Sequence, residues 1–196
     1  MSEERHQQRQ QRLKEKVDAR IAAANEQRGI LIVFTGNGKG KTTAGFGTVT
    51  RAVGHGMRAG VIQFIKGQWP NGERNLLEAH GVEFQVMATG FTWNTQDRVS
   101  DRAAAQEVWQ HARRMLADDT LDLVLLDELT YMVAYDYIDL PEVIAALKAR
   151  PHHQTVIITG RACHRELTDL ADTVSELRPI KHAFDAGIKA QQGVDW

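Results

Sequence analysis

From Gly29 onward, short apolar runs alternate with stretches whose apolar residues recur every three or four positions. Ile30 to Thr35, Gly60 to Ile65, Leu121 to Asp127 and Gln154 to Thr159 are short and mostly rich in Val, Ile and Leu, as strands buried on both faces are. Val82 to Met87 is a weaker fifth strand. Ala105, Val108, Trp109, Ala112, Met115 and Leu116 share one helical face, and Val143, Ile144 and Leu147 share another. Asp139 precedes that second helix as its N-cap, with Pro141 and Glu142 in the first turn. Strands alternating with helices predict an α/β fold, a mainly parallel sheet with helices on both faces.

Residues 1–28 follow a different pattern. Gln, Arg, Lys and Glu dominate, Gly and Pro are absent, and seven basic residues meet five acidic ones. Leu13, Val17 and Ile21 recur every fourth position and make one narrow apolar stripe on a helix. This segment is expected to be an N-terminal arm, either a solvated helix or a lid that folds over a site or a partner subunit. Residues 29–196 then form the one folded domain.

Composition narrows the class of protein. At 196 residues, 42% hydrophobic and 25% charged, the chain can bury a single sizeable core. Its formal charge is -1, and no Lys/Arg-rich run marks a nucleic-acid footprint. No apolar run approaches the ~20 residues that span a bilayer, and the polar first thirty residues are unlike a signal peptide. With Cys163 alone, no intrachain disulfide can form, so the expected location is the cytoplasm.

The strongest chemical signal is the turn after the first strand. Gly36, Asn37, Gly38, Lys39, Gly40, Lys41, Thr42 and Thr43 lie between that strand and a helix-compatible stretch running through Val53. A glycine-rich turn there lets backbone amides converge on phosphate oxygens, and the helix N-terminus adds positive potential. Lys41 can neutralise bridging phosphate charge and the Thr42 hydroxyl can reach Mg²⁺. Three residues separate Gly36 from Gly40 where phosphate loops ordinarily have four, and Thr35 occupies the place of the leading glycine. The fourth strand ends in Asp127 and Glu128, at the edge where α/β sheets place ligands. Alone, such a pair is a solvated turn; beside a phosphate loop, it is a magnesium site.

Taken together, the segments resemble the phosphate-loop type of ATP:corrinoid adenosyltransferase. The resemblance is carried by Thr35 to Thr43, Arg51 to Gly56, Gln63 to Gly67, Gly90 to Trp93, Leu125 to Glu128, Ile158 to Arg161 and Arg178 to Gln191. It implies a RecA-like P-loop fold and a reaction in which Co(I) of a corrinoid attacks the 5′ carbon of ATP and expels the triphosphate. It also implies that ATP lies reversed along the loop, which suits the altered loop length.

Further roles follow only from the resemblance. Lys41, the loop amides and Mg²⁺ near Thr42, Glu128 and Asp127 stabilise charge on the leaving group. Phe91 and Trp93, two residues apart in a polar stretch, anchor a loop to the core or form an apolar wall beneath the corrin ring. Such a wall excludes the lower axial ligand and eases reduction of cobalt. Implied partners are ATP, cobalamin or a related corrinoid, a flavodoxin-type electron donor and a second copy of the chain.

Arg161 reaches phosphate or ribose, or sits on the surface, and Asn37 contacts ribose or favours the turn. Lys181 and His182 belong to the matching tail without an assigned role. Two other classes share the loop: a small-molecule kinase or nucleotide hydrolase, which releases ADP, and a RecA-like module that uses ATP as a switch.

Overall fold

A computed structural model describes residues 3–65, 71–87 and 98–196. Among the described residues, six strands form one sheet in the order β3-β2-β4-β5-β1-β6: β1 (Leu31–Thr35), β2 (Ala59–Gln63), β3 (Glu83–Val86), β4 (Leu123–Asp127), β5 (Thr155–Thr159) and β6 (Thr173–Glu176). Every pairing is parallel. The phosphate-loop strand β1 is therefore separated from the acidic strand β4 by β5, and the expected α/β architecture with a parallel sheet holds.

Alternation along the strands builds two cores. In β4, Val124 and Leu126 join Trp109, Met115, Leu147 and Leu167 on one face, while Leu123 and Leu125 join Phe46, Val49 and Leu77 on the other. The first face is covered by α4 (Arg98–Ala117), α5 (Leu129–Ala134), α6 (Leu140–Ala149) and α7 (Arg165–Leu170); the second by α2 (Lys41–Gly54) and α3 (Gly72–Glu78). Trp109 and Phe46 are among the largest fully buried side chains. Deleting a buried ring of that size typically costs about 3–5 kcal/mol, so these two cores contribute strongly to holding the helices on the sheet.

Several boundaries differ from expectation for local reasons. The strand expected over Gly60 to Ile65 ends at Gln63, although Phe64 stays buried and its amide still bonds to Asp127 O at 3.1 Å. Leu121 and Asp122 lie before β4, where Asp122 N bonds to Arg58 O at 2.9 Å. Asp139 does occupy the N-cap of α6 with Pro141 in the first turn, but its side chain makes no capping hydrogen bond. β6 adds a sixth strand whose four residues are all exposed.

The N-terminal segment forms α1 (Glu3–Ala23), and each of its described side chains is exposed. Leu13, Val17 and Ile21 are 56%, 45% and 66% exposed, so the apolar stripe is formed and uncovered in the single chain. Arg28, at the junction with the domain, grips Asp172 through both terminal nitrogens at 2.9 and 2.5 Å, and Asp172 also accepts Leu31 N at 2.8 Å. Those Arg28 hydrogen bonds hold the Asp172 carboxyl down to about 2. Among the described residues, no helix is long and apolar enough to cross a membrane.

Candidate nucleotide-binding site

The turn between β1 and α2 needs glycine at two positions because of backbone sign. Gly36 has φ +96° and Gly40, the N-cap of α2, has φ +113°, both in the region that side chains rarely adopt. Gly38 is required by proximity instead. Its amide bonds to Leu177 O at 2.7 Å, and a Cβ there would lie 2.8 Å from that carbonyl. Leu177 N in turn bonds to Thr35 O at 2.8 Å. The chain that leaves β6 thus runs over the loop and fixes its shape.

α2 begins at Lys41, and its first helical bond runs from Ala44 N to Gly40 O. The amides of Lys41, Thr42 and Thr43 precede that bond, at the end of the helix where an anion is favoured. Lys41 is 6% exposed, and its ammonium donates to Gly38 O at 2.8 Å, curling the side chain into the loop. Burial lowers the Lys41 pKa; Glu128 and Asp127 oppose that shift, while Arg161 adds to it. An ammonium desolvated in this way gains strongly from an arriving anion.

Opposite the loop, the end of β4 and the end of β5 are tied together. Thr159 donates its hydroxyl to Asp127 Oδ1 at 2.6 Å and accepts the Glu128 amide at 2.9 Å. Asp127 also accepts Gln63 Nε2 at 3.2 Å on its second oxygen. Asp127 is therefore fully buried, with both carboxylate oxygens occupied by neighbours. Glu128 has φ +63°, a left-handed turn that brings its side chain back to the cavity wall. Gly160 has φ +136°, and Thr130, which donates to Arg161 O at 2.6 Å, fills the space a side chain would need.

These elements enclose a cavity of about 530 Å³. Asn37, Gly38, Lys39, Gly40, Lys41, Thr42 and Thr43 form one wall, with Glu128 and Arg161 across from them. Gly36 lies behind the wall against Leu177, and Asp127 lies beneath it. Phe91 and Trp93 fall outside the described residues. Three contributions escaped the reading of the chain: Gly72, Glu73 and Leu76 of α3, His182, and the tail residues Gly193 to Trp196. His182 lies in the tail that carries the resemblance, but no signal local to any of these residues ties them to the loop. Cys163 does not line this cavity, and burial pushes its thiol up to about 11, far from a reactive thiolate.

Among the described residues, few that line the cavity could hold Mg²⁺. Among the described residues, no group of three His, Cys, Asp or Glu side chains is placed to hold a metal ion. Thr42 and Glu128 both line the cavity, and such a sparse donor set suits an ion held mainly by substrate phosphates and water.

A family model described as ATP:corrinoid adenosyltransferase BtuR/CobO/CobP matches residues 27–196, and one described as Cob(I)alamin adenosyltransferase N terminal matches residues 1–21. The chain is 77% identical to a corrinoid adenosyltransferase of Escherichia coli (strain K12) and covers 100% of both proteins. It is 75% identical to the corrinoid adenosyltransferase CobA of Salmonella typhimurium (strain LT2), again over 100% of both. A corrinoid adenosyltransferase of Pseudomonas aeruginosa is 47% identical over 99% of this chain and 97% of the relative.

Proposed function

The chain belongs to the ATP:corrinoid adenosyltransferase family, and we propose that its cavity grips the triphosphate of ATP as a leaving group while the ribose 5′ carbon faces a reduced corrinoid. The transferase activity follows from membership; the assignment of residues to steps is our reading. Cobalt in the Co(I) state supplies the electron pair that forms the cobalt-carbon bond. The bond from C5′ to oxygen breaks, and its electrons leave with the tripolyphosphate. No proton has to be removed, so no general base is needed.

One observation carries this reading: the buried Lys41 ammonium, held on Gly38 O inside the loop at a helix N-terminus. Negative charge grows on the departing phosphate oxygens, and prearranged donors that meet it there lower the barrier. Lys41, the amides of Thr42 and Thr43, Lys39 and Arg161 are the donors we assign, with Asn37 and Gly40 shaping the turn and Gly36 and Gly38 packing it against the tail. The shortened loop supports a reversed ATP. Mg²⁺ would be held by Thr42 and Glu128 and would supply further charge neutralisation to the triphosphate. Asp127 acts indirectly, fixing Thr159 and Gln63 around that corner.

Phe91 and Trp93 we assign to the apolar wall beneath the corrin ring. The uncovered stripe of Leu13, Val17 and Ile21 and the exposed edge strand β6 support a homodimer in which the arm is covered. A separate flavodoxin-type protein is the electron donor we favour, because the chemistry requires Co(I). Cytoplasmic location suits a chain whose one cysteine is free and half-buried.

The test is to mix the protein with Mg-ATP and chemically reduced cobalamin under anaerobic conditions and analyse the products. Adenosylcobalamin and tripolyphosphate in equal amounts are expected. Release of ADP, or no light-sensitive cobalt-carbon product, would overturn the assignment.

A further inference from the structure

Lys39, alone among the loop's cations, already has an anion. Its ammonium lies 2.5 Å from Asp195 Oδ1, and both side chains line the cavity that holds Lys41, Thr42 and Arg161. Asp195 is not loosely placed. Its other oxygen accepts Gln191 N at 2.8 Å, its amide donates to Gln191 O at 2.8 Å, and Gly193 N donates to Trp196 O at 2.8 Å. The residues from Gln191 to Trp196 therefore form a closed turn that presents one carboxylate to the phosphate loop. Farther back, the same tail is fastened to the loop through Leu177 and Gly38.

Building on the triphosphate reading, we propose that Asp195 is a positioning residue that holds the Lys39 ammonium at the cavity rim and competes with the triphosphate for it. The carboxylate occupies the side of Lys39 that phosphate oxygens would take, and two anions cannot share one ammonium without repulsion. Binding of the polyphosphate therefore opens the Lys39–Asp195 pair and releases the turn from Gln191 to Trp196. Departure is aided in the same way, because Asp195 recaptures Lys39 as the tripolyphosphate product leaves. Glu73, on the α3 wall of the same cavity, adds a second negative charge against a lingering product.

The pair is partly exposed, at 48% and 27% for the two side chains, so the expected effect is modest. Exposed pairs of this kind correspond to changes of about two- to fivefold in affinity. Calorimetric titration of the full chain with inorganic tripolyphosphate should show Asp195→Asn binding about two- to fivefold more tightly than wild type. Adenosine, which lacks the phosphates, should bind both proteins equally. In a Lys39→Ala background, Asp195→Asn should produce a distinctly smaller gain, because the ammonium being contested is gone.

Unchanged tripolyphosphate affinity in Asp195→Asn would overturn this inference while leaving the phosphate loop intact. So would an equal gain for adenosine, or an undiminished gain in the Lys39→Ala background, since either would mark a merely structural effect. Failure of the wild-type protein to bind tripolyphosphate at all would remove the functional reading as well.

Discussion

Thr159 donates its hydroxyl proton to Asp127 Oδ1 at 2.6 Å, joining the C-terminal ends of β5 and β4 where neither side chain is reached by solvent. The same hydroxyl accepts the Glu128 amide, so one oxygen sets the turn that carries a cavity-lining acid. Replacing it with the isosteric Thr159→Val withdraws a partner from a buried carboxylate and from a backbone amide at once. Stability should fall by about 1–3 kcal/mol, the usual cost of an unmet buried polar group. Urea denaturation checks the loss, and ATP affinity should weaken in parallel because Glu128 is no longer held.

Lys41→Ala separates catalysis from folding. The ammonium is buried and its pKa is lowered by that burial, so removing it takes away a desolvated charge. Folding stability without nucleotide should be unchanged or slightly higher. Adenosyl transfer should fall about 10²–10³-fold or more, as when a prearranged donor to a developing anion is lost elsewhere. A large loss of stability without nucleotide would show that Lys41 serves the fold.

Gly160→Ala should be strongly disruptive for a residue so small. The position has φ +136°, and an added Cβ would lie 2.0 Å from Thr130 Oγ1, which is itself committed to Arg161 O. Backbone strain of this kind and the displaced hydroxyl together should cost at least about 2 kcal/mol. Thermal unfolding reads the first effect. Weaker ATP binding reads the second, because Arg161 follows the strained residue directly.

Acid stability should depend on Asp172. Its carboxyl is held at about 2 by Arg28, against about 3.9 for a free aspartate, so the folded state binds the proton less readily. The resulting stabilisation is fully present above about pH 4 and is lost as pH falls toward 2. Asp172→Asn should lower stability at neutral pH and flatten the decline between pH 4 and 2. Denaturation midpoints measured across that window provide the check.

The parts of the fold legible in the sequence are those with local causes. β1, β2, β4 and β5 declare themselves because burial on both faces favours short apolar runs, mostly rich in Val, Ile and Leu. β6 stays hidden because Thr173 to Glu176 is exposed at the sheet edge, where no such demand acts. α3, α5 and α7 are shorter than two full periods of apolar spacing and leave little pattern to find. The phosphate loop is legible for the same local reason as the strands: Gly36, Gly40 and Lys41 meet their requirements within a few residues.

What the sequence conceals is contact across long separations. Nothing near Gly38 says that it is small because Leu177 lies against it, and nothing near Lys39 says that Asp195 faces it. The roles of Asp127 and Glu128 also divide for a reason no motif states. One carboxylate is consumed by Thr159 and Gln63, and the other turns outward on a left-handed backbone.

The position of β1 in the sheet has a consequence for biosynthesis. This strand is made early, yet both of its neighbours, β5 and β6, come from the final part of the chain. Until those segments are made, neither edge of β1 has its native partner, and Leu177 is not yet present to shape the loop. Parallel pairings between such distant segments form slowly and expose sticky intermediates. Yield of active protein should therefore respond to chaperone supply and to slower synthesis more than to the intrinsic stability of the finished domain.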